Sequence, residues 1–174
     1  LDIIESLRKQ NKSLTISSTT TKNAAKKIAK QLFKKQPILI GADFLVGNLH
    51  TMRNQMCENA KNIAFYMEVP DMNHFAMEGL SHPKENKKIM HFLFFDSKLY
   101  HQKVQKRLEL TKKVIKKNGI NCSSYTMQGK TSLEQAFELL QLGTWITYYV
   151  GLLNEVDPIK IPWVDWFKKQ LEKK

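Results

Sequence analysis

The amino-acid sequence predicts an α/β domain in which a mostly parallel sheet is enclosed by helices in a three-layer sandwich. Short apolar runs that suit buried strands alternate with longer amphipathic segments that suit helices. No internal repeat or low-complexity linker interrupts this alternation. The chain has 174 residues, of which 42% are hydrophobic, and this is enough for the core of one domain.

The first half of the chain contains two predicted strands. Residues 1–10 resemble the end of a helix that enters from further upstream, and a run of hydroxyl residues at 17–21 predicts a loop. The elements that follow are a helix at 23–33 with threonines before it as candidate caps, a buried strand at 37–41 that ends in glycine, a helix at 49–61 and a buried strand at 63–67.

The second half continues the same alternation of strands and helices. Its predicted elements are a strand at 89–95, a basic helix at 100–117 closed by Asn-Gly, a strand at 121–127, a long helix at 132–154 and a final helix at 164–172. Strands that alternate with helices imply parallel pairing through right-handed crossovers, with helices on both faces of the sheet.

The composition argues against membrane and metal proteins. No apolar run approaches the roughly 18 residues that span a bilayer, and the first residues lack the basic start of a signal peptide. We therefore expect a soluble, cytoplasmic protein. Cys57 and Cys122 have no metal-ligand spacing, which favours two reduced thiols over a disulfide or a zinc site.

The formal net charge of +12 raises the question of a polyanionic partner. The lysines, however, occur as pairs spread over nearly every element instead of forming one basic arm. Such pairs favour solvated helix faces, with a site for a small anion as the alternative. A nucleic-acid-binding module remains a third interpretation, but no basic stripe interleaved with stacking aromatics supports it.

Two polar residues stand out at the ends of successive elements. Glu58 falls in the last turn of a predicted helix, and His74 lies sixteen residues later, just past the carboxyl end of the next strand. Functional groups in open α/β sheets gather near such ends, so the pair is a candidate base and acid. The simpler interpretations are a solvent-facing or ion-paired glutamate and a capping or core histidine.

Three segments of the chain together resemble the C-terminal half of the bifunctional phosphoglucose/phosphomannose isomerases. They are residues 55–61 (QMCENAK), residues 69–74 (VPDMNH), and the stretch from Val156-Asp157-Pro158 through Ile161-Pro162 to Asp165-Trp166-Phe167-Lys168. The likeness extends over about residues 23–171. It implies that 23–174 is a flavodoxin-like sugar isomerase (SIS) domain, that 1–22 is the end of an upstream helix and an interdomain linker, and that the N-terminal SIS domain is absent from this chain.

The resemblance also implies a reaction and its residues. The family interconverts glucose 6-phosphate or mannose 6-phosphate with fructose 6-phosphate through a cis-enediol, without a metal or redox cofactor. Glu58 matches the base, which partial burial would tune toward neutral pH. His74 matches a ring-opening histidine that reaches the neighbouring subunit, which implies a homodimer. Lys168 near the start of the last helix, or Lys169, matches an assisting lysine.

The same resemblance assigns substrate-binding roles to Arg53 and Asn73, and it shows where this chain departs from the family. Phe75-Ala76 replaces an amide and a carboxylate after the histidine, and Thr51-Met52 precedes Arg53 where the family has Arg-Trp. The chain also lacks the Ser/Thr-rich phosphate loop of the family's first domain. A non-catalytic sugar-phosphate sensing or assembly domain is therefore the alternative function.

Overall fold

The computed structural model describes residues 2–173, and one parallel sheet organises them. Its strands are β1 (Gln36–Gly41), β2 (Phe65–Glu68), β3 (Met90–Asp96) and β4 (Asn121–Thr126). They lie in the spatial order β2-β1-β3-β4, and all three neighbouring pairs are parallel. The sheet confirms the predicted α/β fold class with its mostly parallel sheet.

In this described part of the chain, eight helices and one 3-10 turn connect and cover the strands. They are α1 (Asp2–Leu14), α2 (Ala24–Leu32), the turn at Asp43–Leu45, α3 (Val46–Asn59), α4 (Met72–Gly79), α5 (Asn86–Ile89), α6 (Gln102–Lys117), α7 (Ser132–Leu153) and α8 (Pro162–Leu171). Helices α1, α2 and α3 pack against α7, whereas α4 packs against α6. Right-handed crossovers place these two groups on opposite faces of the sheet.

The hydrophobic core lies around the two central strands. Five of the six residues of β1 are buried, as are the five inner residues of β3, because helices cover both of their faces. The largest fully buried side chains include Phe92, Phe94 and Phe95 on β3. The near-continuous apolar runs that predicted these strands are therefore a consequence of burial on both faces.

The prediction that residues 63–67 form a buried strand is wrong in its burial and its boundaries. β2 begins at Phe65, which is 45% exposed, and the preceding Ile63 is 61% exposed. β2 is an edge strand, so one side of its backbone and part of its face meet solvent. An apolar run does not reveal whether its strand is central or at an edge, since that depends on the other strands.

A buried amide ties α1, α2 and α7 together. Asn23 accepts a bond from the backbone N–H of Lys26, which caps α2, and its Nδ2 donates to the carbonyl of Leu14 at 2.8 Å. The Tyr149 hydroxyl on α7 donates to the same carbonyl at 2.6 Å. Such satisfied buried groups fix the geometry of neighbouring elements.

Helix α8 differs from every other long helix in this structure because none of its residues is buried. It begins at Pro162, two residues before the predicted start, in the first-turn position that proline favours. Lys168 therefore lies in the last turn of α8, and its predicted place near the start of the final helix is wrong.

Two properties follow from the described part of the chain. Within residues 2–173, no helix is both long and apolar enough to span a bilayer. Cys57 and Cys122 are both free cysteines, as the sequence predicts.

Candidate active site

The switch point of this sheet is packed with the chain's own side chains. It lies between β1 and β3, where successive crossovers leave in opposite directions and where ligands of open α/β sheets commonly bind. Here the Tyr100 hydroxyl accepts a bond from the backbone N–H of Ala42 and donates to the carbonyl of Phe95. Burial raises the pKa of Tyr100. The tyrosine thus fills the crevice as a neutral phenol.

An open groove lies instead at the amino edge of the sheet, beside the last turn of α3. Its volume is about 510 Å³, and its lining is mainly apolar with a few charged groups. Glu58 stands on the α3 wall, and Trp163 on α8 stands on the opposite wall. The remaining lining residues are Cys57, Lys61, Val156, Asp157, Lys160, Ile161, Pro162 and Val164.

Side-chain bonds to backbone carbonyls fix the two walls of this groove. The Asn154 amide at the end of α7 donates to the carbonyl of Ala60 at 2.9 Å, and a Cβ added at Gly151 would lie 3.1 Å from the carbonyl oxygen of Asn59. Glycine therefore permits the close approach of α7 to the end of α3. The Lys61 ammonium donates to the carbonyls of Glu58 and Pro158 and so bridges the walls.

Glu58 itself is exposed to solvent in this chain. The partial burial that the sequence interpretation expected of a base is therefore absent in the described chain. A carboxylate in this position can exchange protons with a bound molecule, but the described chain alone does not exclude water from it.

His74 lies in the first turn of α4, just past the carboxyl end of β2, as predicted. Its side chain is exposed, and its backbone N–H donates to the carbonyl of Asp71 at 2.9 Å. The backbone N–H of Val69 donates to the carbonyl of Gly41, which fixes the start of this loop on β1. The imidazole is thus presented to solvent at the carboxyl edge of the sheet.

The structure does not bring Glu58 and His74 together within one chain. The end of α3 lies at the amino edge, where the Asn62 amide donates to the carbonyl of Lys35 just before β1. β2 then crosses to the opposite edge before α4 begins. A helix that links two parallel strands runs back to the starting edge, so a residue at its end and a residue after the next strand are separated by that strand.

The two residues predicted to bind substrate make contacts inside the chain. The Arg53 guanidinium lies 5.7 Å from the centre of the Tyr66 ring on β2, a cation–π contact. The Asn73 amide donates to the Thr111 hydroxyl on α6 at 2.8 Å, which ties α4 to α6. Neither residue lines the Glu58 groove.

Lys168 and Lys169 are exposed in the last turn of α8 and do not line the groove.

Sequence reasoning assigned no role to two residues that line the groove, Lys61 and Trp163. Lys61 adopts a left-handed backbone conformation with φ of 52°, which nothing in its sequence context announces. Trp163 follows Pro162, and this proline was a usable signal for the helix start and hence for the tryptophan's position beside Glu58.

The polar groups of the groove suit acid–base chemistry and the binding of a charged ligand. They are two carboxylates, from Glu58 and Asp157, and two ammonium groups, from Lys61 and Lys160, beside an aromatic wall. Within residues 2–173, no three His, Cys, Asp or Glu side chains are grouped as metal ligands would be.

Comparison with known proteins identifies the family to which this chain belongs. The model of the bacterial phospho-glucose isomerase C-terminal SIS domain matches residues 21–171. A bifunctional phosphoglucose/phosphomannose isomerase from Aquifex aeolicus is 26% identical over 152 residues, which cover 87% of this chain and 47% of that protein. A protein of the same name from Caldicellulosiruptor bescii is 28% identical over 153 residues, covering 86% and 44% respectively.

The solved structures agree on the fold. A glucose-6-phosphate isomerase like protein from Thermus thermophilus matches with a TM-score of 0.77 at 19% identity, over 93% of this chain and 54% of that one. This chain spans about half the length of the relatives that it matches. Because the family match covers most of its residues, the chain belongs to the bacterial phospho-glucose isomerase C-terminal SIS domain family.

Proposed function

We propose that this chain supplies the base of an aldose–ketose isomerase that interconverts glucose 6-phosphate or mannose 6-phosphate with fructose 6-phosphate. One observation carries the proposal. Parts of two of the three segments that resemble the family, within 57–61 and 156–164, form the opposite walls of one groove, and Glu58 lies in it. The names of the relatives support the substrate class.

In the proposed reaction, the Glu58 carboxylate removes the proton from C2 of the open-chain aldose. The C2–H electron pair forms the C1–C2 double bond of a cis-enediol, and the carbonyl oxygen at C1 gains a proton. Glu58 then returns its proton to C1 while the hydroxyl at C2 loses its proton and becomes the ketone. A base and an acid that are matched to neutral pH serve such transfers.

The proposal requires groups from outside this chain. His74 lies at the far edge of its own sheet, so it can open the sugar ring only at the Glu58 groove of a second copy, which makes the active unit a homodimer. The substrate phosphate needs backbone amides and hydroxyls that an N-terminal SIS domain would supply. Lys168 or Lys169 would then favour the anionic substrate from the side of α8.

The experiment is a coupled assay of both isomerisations with the intact protein in which this chain occurs. We expect Glu58→Gln to lower kcat by at least about 10³-fold, since it keeps the side-chain size and removes the base. Loss of deuterium from C2 of labelled glucose 6-phosphate to solvent should fall in parallel. Glu109→Gln, an exposed glutamate on α6, is the matched control and should retain full activity.

A second candidate function is a non-catalytic sugar-phosphate sensing or assembly domain. The exposure of Glu58 and the replacement of polar neighbours by Phe75-Ala76 and Thr51-Met52 favour it. Calorimetric binding of fructose 6-phosphate by a folded dimer, with no isomerisation and no deuterium loss, would select this candidate and reject catalysis.

A further inference from the structure

Three pairs of lysines meet at the amino edge of the sheet, and none of the six residues lines the Glu58 groove. Lys34-Lys35 directly precede β1, Lys87-Lys88 lie in α5 just before β3, and Lys116-Lys117 end α6 before β4. These three strands are neighbours, and their register places their starts side by side. We call the six residues the amino-edge lysine pairs. They are scattered in the sequence, but the fold brings them together because parallel strands all start at the same edge.

Contacts between the loops hold the three pairs side by side. The Lys35 ammonium donates to the carbonyl of Lys88 at 2.5 Å, which joins the first pair to the second. A Cβ added at Gly119 would lie 3.9 Å from the Cβ of Lys87, so the second pair lies beside the turn that follows α6. The Gly119 N–H donates to the carbonyl of Lys116 at 2.9 Å and ties this turn to the third pair. Since neighbouring strands lie about 4.8 Å apart, the pairs occupy roughly 10 Å of the edge.

No salt bridge neutralises these lysines in the described chain. Neither of the two salt bridges within residues 2–173 includes one of the six. Five of the six side chains are exposed, and that of Lys35 is half-buried. Residues 33–36, 86–90 and 116–121 contain no Asp or Glu, and Glu85, directly before α5, is the nearest acid in sequence. Ammonium groups gathered in this way repel one another and attract a polyanion.

The carboxyl edge of the sheet has the reverse balance of charge. The ends of the four strands and the loops after them, at 41–45, 68–71, 96–99 and 126–131, contain four acids and two lysines. The acids are Asp43, Glu68, Asp71 and Asp96, and the lysines are Lys98 and Lys130. The positive charge at the amino edge is therefore a local property and not an even share of the net charge of +12.

Stabilisation of helix ends explains only part of this arrangement. Lysines in a last turn interact favourably with the partial negative charge of the helix end, and this accounts for Lys116-Lys117 in the 16-residue α6. Lys34-Lys35, in contrast, lie beyond the end of α2 at Leu32, and α5 with Lys87-Lys88 is only four residues long. Two of the three pairs are thus left without this explanation.

We propose that the amino-edge lysine pairs bind the phosphate backbone of a double-stranded nucleic acid. A duplex carries one phosphate charge per about 1.7 Å of its axis, hence about six over the roughly 10 Å that the pairs occupy. All six basic groups are ammonium groups, which act as point charges on phosphates and read no base sequence. Because the pairs lie outside the Glu58 groove, this binding does not depend on the proposed isomerase activity.

A duplex suits this edge better than the other polyanions that lysines attract. Within residues 33–36, 86–90 and 116–121, the one exposed large apolar side chain is Ile89, at 44%, so no exposed aromatic ring offers the stacking that single strands use. A stiff duplex also loses little entropy along a straight edge, whereas a flexible polyphosphate chain must be ordered. An anionic membrane would need more apolar anchorage beside the lysines than Ile89 provides.

The test is the fluorescence anisotropy of a labelled DNA duplex, two helical turns long, titrated with the intact protein at a series of salt concentrations. We expect a Kd of about 10⁻⁶–10⁻⁴ M at physiological salt. The logarithm of the association constant should fall against the logarithm of salt concentration with a slope of about −5, since each of six phosphate contacts contributes about −0.9. A duplex of unrelated sequence should bind equally well.

Glutamine substitutions test the edge itself. Replacing Lys87-Lys88 and Lys116-Lys117 together should weaken binding at least tenfold and reduce the slope to about −2, because one pair of contacts remains. Lys34-Lys35 are kept, since the Lys35 ammonium bonds the carbonyl of Lys88. Each of the two replaced pairs substituted alone should reduce the slope by about 2, which tests the edge even where the fourfold variant does not fold. Circular dichroism checks the folding of every variant.

The matched control removes the same charge from the opposite side of the sheet. It replaces four exposed lysines at the carboxyl edge and the start of α6 with glutamine, namely Lys98, Lys103, Lys106 and Lys130. Its slope should stay close to that of the parent. Equal effects of the control and of the edge variant would attribute binding to net charge and overturn the proposed site.

Other outcomes also overturn it. An absence of duplex binding at low salt rejects the site outright. Tighter binding of the single strand, or of inorganic polyphosphate at equal phosphate concentration, assigns the edge to a flexible chain. Capture by vesicles of phosphatidylserine and phosphatidylcholine without duplex binding assigns it to a membrane. Glu58→Gln should bind the duplex as the parent does, so failure of the catalytic proposal is distinguishable from failure of this one.

Discussion

Helices α7 and α8 are both rich in large apolar residues, but the side chains of α7 are largely buried whereas those of α8 are exposed. α7 packs against α1, α2 and α3, and its inner residues, Leu139, Leu142, Ile146 and Val150, are completely buried. α8 buries none of its residues. The comparison teaches that similar apolar composition serves the stability of this chain in one helix and remains available for contacts outside it in the other.

The two helices also differ at their beginnings. α7 starts with a capping box, in which the Thr131 hydroxyl accepts the N–H of Glu134 and the Glu134 carboxylate accepts the N–H of Thr131. Ile161, in the N-cap position before α8, supplies no side-chain cap. In α7, the capping box and the packing against other helices both stabilise the helix. α8 has neither a side-chain cap nor buried residues, so its stability depends on contacts outside the described chain.

A pair of leucine truncations should show the largest difference between the helices. Leu142→Ala on α7 removes a fully buried side chain, and we expect the free energy of unfolding to fall by about 2–5 kcal/mol. Leu171→Ala on α8, where the side chain is 70% exposed, should change it by less than about 0.5 kcal/mol in the monomer. Urea denaturation at low protein concentration measures both values.

If the two truncations had equal effects, the division between a stabilising α7 and an unpartnered α8 would be wrong. Repeating the measurement at high protein concentration sharpens it. Leu171→Ala should then become destabilising if α8 is buried in a dimer, because dimer formation stabilises the folded state by mass action.

Acid should weaken the packed body of the domain and not α8. His91 on β3 is 6% exposed and contacts the Ser123 hydroxyl at 2.8 Å, and burial, with the nearby Lys35 ammonium, lowers the pKa of His91 from 6.5 to about 4. Between about pH 4 and 6.5, His91 is therefore protonated in the unfolded chain and neutral in the folded chain. Stability is full above about pH 6.5 and decreases as the pH falls toward 4, by roughly 2–4 kcal/mol at the lower end.

His91→Asn should flatten this part of the pH profile of unfolding, measured by urea titrations at pH 7, 6, 5 and 4. His101→Asn provides the comparison, because His101 is exposed at the start of α6. Parallel profiles for the parent and for His91→Asn would contradict the assignment.

The smallest expected effect concerns the start of α7. Thr131→Ala removes the hydroxyl that accepts the Glu134 N–H, and we expect a loss of about 1 kcal/mol in the free energy of unfolding. Thr131→Ser keeps the hydroxyl and should stay close to the parent. A loss with serine as large as with alanine would attribute the effect to the threonine methyl group instead of the cap.

Much of the fold could be predicted because the apolar runs and the alternation of strands with helices can be read directly from the sequence. β1 and β3 were found for this reason, and the long helices α6 and α7 were found from their spacing and caps. The eight-residue α4 and four-residue α5 were missed, because such short helices carry little periodic signal. The edge position of β2 was missed because it depends on which strands pair.

The site was predictable residue by residue but not as an arrangement. Glu58 and His74 lie at the helix end and strand end that the sequence indicated. Their separation follows from the parallel connection, which is a property of topology. Trp163 lies beside Glu58 because of the path of residues 155–161, which includes the positive φ of 56° at Glu155, and this path is a property of the folded chain.

The hydrogen bonds of Asn23 show that the packed domain extends further toward the N-terminus than the segment that matches the family. The family match begins at residue 21, whereas the carbonyl that receives both the Asn23 amide and the Tyr149 hydroxyl belongs to Leu14. A chain trimmed to the family boundary would keep both donors and lose their acceptor together with the helix that covers them. Helix α1 is therefore part of the packed unit around α7, and a protein engineer who wishes to graft this domain must transfer the two together.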